Sequence, residues 1–151
     1  MSDATHGPGV FSRNHLSYLR RANGKRVYFR SKRKWVGALE LLDKGPASIY
    51  FCPISGSGDG CIHYAGRLVA VELEPTAQSM AQLLERTGAR DVAPREELLW
   101  DGSVQTLYVV EVEQLARPFP LTELRKLTNG EPLSADYGYA YSLVTRSLPE
   151  D

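Results

Sequence analysis

Carboxylates are missing from the early part of this chain: residues 4–39 contain neither an aspartate nor a glutamate. Long apolar runs are missing as well. None approaches the ~18 residues that a membrane-spanning helix needs. The opening stretch MSDATHGPGVFSRNH has no apolar middle of the secretory kind. A cytoplasmic address with no membrane partner is the expectation. Histidine is confined to His6, His15 and His63, and cysteine to Cys52 and Cys61. Without a Cys-x-x-Cys or a histidine pair at finger spacing, Cys52, Cys61 and His63 make a poor zinc set, and two reduced thiols are expected. The glycine-rich residues 55–60 lack both the Gly-Lys-Ser/Thr ending and the following helix of a phosphate cradle. Neither a metal nor a cofactor is expected.

With 151 residues, 42% hydrophobic and 24% charged, the chain has the size and composition of one folded domain. Its formal net charge of zero hides a polarity. Residues 1–39 hold nine basic side chains against the single acid Asp3, and the rest holds nine basic against seventeen acidic. Clustered Lys and Arg attract polyanions by releasing condensed counterions. A charge run is more often a solvated face than a site. Here Tyr28, Phe29 and Trp35 are interleaved with the cations, which adds stacking surface to charge.

Residues 1–14, mixed in Gly, Pro and Ser, read as a flexible N-terminal segment, leaving 15–151 as a single domain. Leu16, Tyr18 and Leu19 seat a short helix that ends at Asn23-Gly24. Val27-Tyr28-Phe29 is a short strand, and residues 30–34 form an exposed basic loop. Val36, Leu39 and Leu42 then recur at helical spacing until Lys44-Gly45-Pro46 stops the helix. Residues 48–52 predict a buried strand, paired as a hairpin with a longer one from about 62 to 74. Pro75-Thr76 opens a helix with Met80, Leu83 and Leu84 on its apolar face and Gly88 as its cap. TLYVVEV, residues 106–112, is the strongest strand signal in the chain. Leu121, Leu124 and Leu127 predict a third short helix, and a last strand lies near 139–145. Four or five strands with short helices, and no strict β-α-β alternation, predict an α+β fold or a partly closed barrel.

Catalytic patterns are thin. Cys52 and Ser55 lie near His63 in sequence, which keeps a small hydrolase as an alternative. Glu96, Glu97 and Asp43 are scattered carboxylates without the pairing a glycosidase needs. Side chains alternate along a strand, so Tyr28 and Phe29 face opposite ways, as do Tyr50 and Phe51, and one of each pair is expected in the core. A third class is a protein-interaction or regulatory module whose acidic part docks a basic partner.

Two stretches resemble the PUA-like superfamily, in its EVE and ASCH branches. In the first, VYFRSKRKWVG leads to the helix ALELLDKG, the strand SIYFCP and the returning strand GRLVAVEL. The second is YVVEVEQLARPFPLTELRKL, followed by a terminal strand. Together they cover roughly two thirds of the chain. The acid that the family carries after its glycine is replaced here by Pro46-Ala47, and its tyrosine-polar strand ending by Tyr50-Phe51-Cys52-Pro53. The resemblance implies a β-pseudo-barrel with short flanking helices and a cleft that accepts a base, in many relatives a modified one.

Carried over by position, the resemblance implies a base-binding cleft of Phe29, Arg30, Ser31, Trp35 and Val36, faced by Phe51, Cys52 and Ser55. Trp35 would stack on the base and Ser31 would read its edge. Arg26, Lys32, Arg33 and Lys34 would hold flanking phosphates. The expected partner is nucleic acid, DNA or RNA, with association with a nuclease or other effector open. All of this requires the Trp35 indole and its cationic neighbours to open onto one accessible hollow.

Overall fold

The computed structural model describes residues 7–53, 60–91, 104–135, 137 and 141–146. In chain order the elements are β1 (Gly7–Asn14), α1 (Leu16–Ala22), β2 (Lys25–Ser31), α2 (Val36–Lys44), β3 (Ala47–Pro53), β4 (Cys61–Leu73) and α3 (Ala77–Thr87). There follow β5 (Arg90–Asp91), β6 (Thr106–Pro120), a 3-10 turn (Leu121–Glu123), β7 (Arg125–Lys126) and β8 (Tyr141–Arg146). The fold is α+β and dominated by one mixed sheet, in the order β5-β2-β6-β4-β3-β1-β8-β7. Among the described strand pairs, β1/β3 and β2/β5 run parallel and the others antiparallel. Among the described residues no helix is long and apolar enough to cross a membrane.

The sheet rolls on itself. Strands β2 and β3 are separated by β6 and β4, a gap of about 14 Å in a flat sheet, yet the Phe29 and Phe51 rings lie 5.9 Å apart. Likewise the Tyr108 hydroxyl on β6 shares hydrogen bonds with Ser12 and Asn14 on β1. The bend is built into β4. Its pairing with β6 shifts register between Ile62 and Tyr64 and again between Leu68 and Ala70, and such bulges bend and twist a strand. Between the two shifts sits Gly66, where a Cβ would overlap the Glu111 carbonyl oxygen.

Alternation distributes the apolar residues over three cores. Val27, Phe29, Ile49, Phe51, Tyr108 and Val110 point into the roll, where α1 adds Tyr18, Leu19 and Ala22. Tyr28, Leu107 and Val109 point outward beneath Leu83, Met80 and Leu84 of α3. Phe11, Tyr50 and Cys52 also point outward, beneath Phe119, Leu121, Leu124 and Leu133. Both faces of the sheet are thus covered, so all four of Tyr28, Phe29, Tyr50 and Phe51 are buried. The expectation placed one of each pair in the core, and the structure buries the other as well.

Two expectations are corrected. Residues 7–14 are not a loose leader: β1 lies inside the sheet, parallel to β3 and antiparallel to β8, with Val10 and Phe11 fully buried. The run from Leu121 to Leu127 is not a helix. Only a 3-10 turn forms, Leu124 is extended and bonded to Leu133 N–H through its carbonyl, and Leu127 is exposed. Leu121 and Leu124 reach the core from a turn and an extended segment, a spacing that mimics one helix face.

Candidate functional site

The expected cationic loop lies where three strand ends meet. The Gln105 N–H donates to the Ser31 carbonyl at the end of β2, and the Glu74 N–H donates to the Gln105 carbonyl. These bonds, each 2.8–2.9 Å, fix the relative height of β2, β6 and β4 at this rim. The loop between β2 and α2 is then pinned from within. The Thr106 hydroxyl, fully buried, donates to the Arg33 carbonyl at 2.7 Å and accepts the Trp35 N–H at 3.0 Å. The Ser31 hydroxyl accepts both the Arg33 N–H and the Trp35 Nε1–H, each at 3.1 Å. A four-residue loop, Lys32 to Trp35, held by two hydroxyls has little backbone freedom left to lose on binding.

From this pinned loop Lys32, Arg33 and Lys34 extend into solvent, and Val36 at the start of α2 is exposed beside them. Lys34 Nζ meets Glu74 Oε1 at 2.9 Å, with both side chains well exposed. Glu74 holds φ at +50 and precedes Pro75. A non-glycine residue in that region carries a strain of about 1–2 kcal/mol.

The indole is not part of any open surface. Trp35 is 1% exposed, with one face stacked on Tyr108 at 3.9 Å and the other on Tyr141 at 4.7 Å. Tyr141 in turn accepts the Ala38 N–H through its hydroxyl, tying α2 to β8. The stack therefore joins β6, the start of α2 and β8, and closes the roll where the sheet has no ladder hydrogen bonds. This corrects the expectation of a stacking platform: protein rings already occupy both faces. Phe29, Phe51 and Cys52 are core as well, at 3%, 0% and 1% exposure. Of the expected cleft, Arg30 and Ser31 are half-buried and Val36 is exposed, while Ser55 lies outside the described residues.

Arg26 is also engaged elsewhere. It faces Glu111 directly across the β2/β6 ladder, donates Nη2 to Glu111 Oε2 at 2.7 Å, and donates Nη1 to the Thr87 carbonyl at the end of α3. Arg67 of β4 grips the other oxygen of the same carboxylate at 2.8 Å. The Arg26 hydrogen bond above all, with Arg67 adding to it, holds the Glu111 carboxyl below its ordinary range. Arg26 staples the outer face of the sheet. It is not a phosphate ligand in waiting. Arg30 lies over the Tyr28 ring at 5.5 Å on that same face.

The hydrolase alternative finds little here. Cys52 is 1% exposed, packed in the second outer core, with the Arg13 Nη1 donating to its sulfur at 3.4 Å. The same guanidinium donates to the carbonyls of Pro53 and Tyr137, so it ties β3 to the segment before β8. A nucleophile needs access, and this thiol has none. Sequence reasoning missed the structural partners of the loop, Thr106 and Tyr141, because nothing near 35 in sequence announces them. Glu74 was equally hidden, since its only local signal is the proline that follows it. Compared with known proteins, the chain matches no protein-family model and no curated protein.

Proposed function

We propose that this protein is a nucleic-acid-binding domain of PUA-like type, and that it grips the ligand first by its phosphates at residues 32–34. The single observation that carries the proposal is a run of three cations projecting from a loop whose backbone Thr106 and Ser31 hold in place. Cations on a pre-ordered loop bind anions without first being organised, and a row of them suits a repeating phosphate chain better than a single anion. The β-rich rolled sheet is compatible with a PUA-like pseudo-barrel. Base recognition, modified or plain, then belongs to groups around the rim such as Ser31 and Val36, because Trp35 is committed to Tyr108 and Tyr141.

Fluorescence anisotropy with labelled single- and double-stranded oligonucleotides, DNA and RNA, tests this between 50 and 200 mM salt. Lys32→Ala and Arg33→Ala should each weaken binding to every sequence and lower the slope of log affinity against log salt by roughly one. Absence of binding at the lowest salt, or affinities unchanged in both variants, would refute the proposal.

A further inference from the structure

We infer that Glu74 is a specificity-determining residue of this rim, an internal anion that occupies Lys34 and must be displaced by the ligand. The inference rests on the nucleic-acid reading above and goes further, to the kind of ligand the rim admits. Three observations meet at this residue. Its carboxylate sits 2.9 Å from Lys34 Nζ, and both side chains are largely in solvent, 47% exposed for Lys34 and 68% for Glu74. A pair so placed contributes little to stability and opens readily to a competing anion. Secondly, the Glu74 N–H is bonded to Gln105, and Gln105 to Ser31, so the carboxylate is mounted on the same rigid rim as the cations. Thirdly, six other described residues take positive φ and every one is glycine, whereas position 74 keeps a glutamate at φ +50. A glycine would fit that turn with less strain. Strain retained where a cheaper residue fits points to a role for the side chain.

The consequence is a threshold. A lone phosphate meets Lys32 and Arg33, with Lys34 already neutralised. A chain of phosphates engages the first two cations and, once anchored, exchanges its next phosphate for the Glu74 carboxylate. That phosphate sheds its condensed counterion, while the freed Glu74 carboxylate attracts a cation in turn, so the net release at Lys34 is smaller than for an unpaired lysine. Glu74 therefore disfavours mononucleotides and free phosphate relative to polymers, and lowers the salt dependence of the whole site.

The experiment uses the full chain with a fluorescein-labelled 15-nucleotide oligo-dT, and inorganic phosphate as competitor. Glu74→Gln should bind the oligonucleotide a few-fold more tightly, with a salt slope steeper by up to about one, and should lower the competing concentration of inorganic phosphate by a larger factor; equal factors for the two ligands would overturn the specificity role. Glu74→Gly, which also relieves the backbone, should match it in affinity. In a Lys34→Ala background the Glu74→Gln change should do nothing. Glu85→Gln, which removes an exposed charge from α3, is the control for net charge. If Glu74→Gln equals the wild type while Arg33→Ala weakens binding, the inference fails and the phosphate-binding reading stands. If Glu85→Gln gives the same gain, the effect is general charge and the inference fails likewise. If the wild type does not bind, both fall.

Discussion

Trp35 shows how far a residue's type is from its role. Beside four cations an indole looks like a stacking surface, and it is one, but its partners are Tyr108 and Tyr141 of the same chain. Its Nε1–H is satisfied by Ser31, and its backbone N–H by Thr106. Removing it should leave a cavity between β6 and β8 and strip the closure of the roll. Trp35→Ala is expected to cost about 3–5 kcal/mol of stability, read as a fall in the urea midpoint. Trp35→Phe, which keeps a stacked ring and loses one hydrogen bond, should cost much less. Any protein that remains folded should keep its salt-dependent binding, because the cations project from the loop and not from the indole. Legibility at this scale was uneven. The cations of 32–34 were visible as an exposed loop, since charged side chains are costly to bury without partners. The fate of the aromatics was not, since what covers a ring is decided by residues seventy to a hundred positions away.

Among the elements, short-range signals read well. The Thr76/Ser79 capping box and the left-handed Gly88 bound α3 where the sequence places them. The spacing of Val36, Leu39 and Leu42 forms α2, which stops at Gly45 as expected. The hairpin of β3 and β4 pairs as expected, Ala47 with Leu68 through Phe51 with Tyr64. Failures came where a segment's state depends on a distant neighbour. Gly7-Pro8-Gly9 looks loose, yet β1 is held on both edges, and a Cβ at Gly9 would collide with the Ser48 carbonyl. Small residues here mark a close approach of strands. The same holds more sharply at Gly66 on β4. Gly66→Ala should drive β4 away from Glu111 and unroll the sheet between its two bulges, and we expect loss of several kcal/mol, on the order of the largest single-residue effects. Thermal unfolding followed by circular dichroism would show either a large drop in midpoint or no folded protein. A midpoint within a degree or two of wild type would mean that β4 bends elsewhere.

For the whole molecule, charge and protonation are collective. The polarity along the chain does not become one basic face, because distant acids come to meet the cations: Glu111 takes Arg26 and Arg67, and Glu74 takes Lys34. Arg20, Arg21 and Lys25 belong to the other end of β2, about 20 Å from the rim at 3.3 Å per residue. Tyrosines set the alkaline limit. Burial pushes Tyr50 up to about 12 and raises Tyr108 further still, although hydrogen bonds from Ser48, and from Ser12 and Asn14, act against it. An unfolded tyrosine ionises near 10. Above that pH the unfolded chain releases protons that the folded one retains, so stability is whole below pH 10 and declines from there through 12 and beyond. Urea midpoints measured from pH 9 to 12 should fall steeply. Tyr50→Phe should make that fall shallower, although it also gives up the hydrogen bond to the Gly7 carbonyl. A profile unchanged in that variant would place the alkaline transition in other groups.

Taken by itself, the order of residues determined the helices with their caps, the hairpin, the strong strand after Thr106, an α+β class and an exposed cationic loop. Those features depend on neighbours a few positions apart, where turn chemistry and side-chain period act. Only the tertiary structure decided that residues 7–14 are an inner strand, that both faces of the sheet are covered, that the indole closes the roll, and that Glu74 stands over Lys34. Each of these is a contact between groups far apart in sequence. No local propensity encodes such contacts, because they exist only once the bulges of β4 have rolled the sheet and brought β1 and β8 round to face β6.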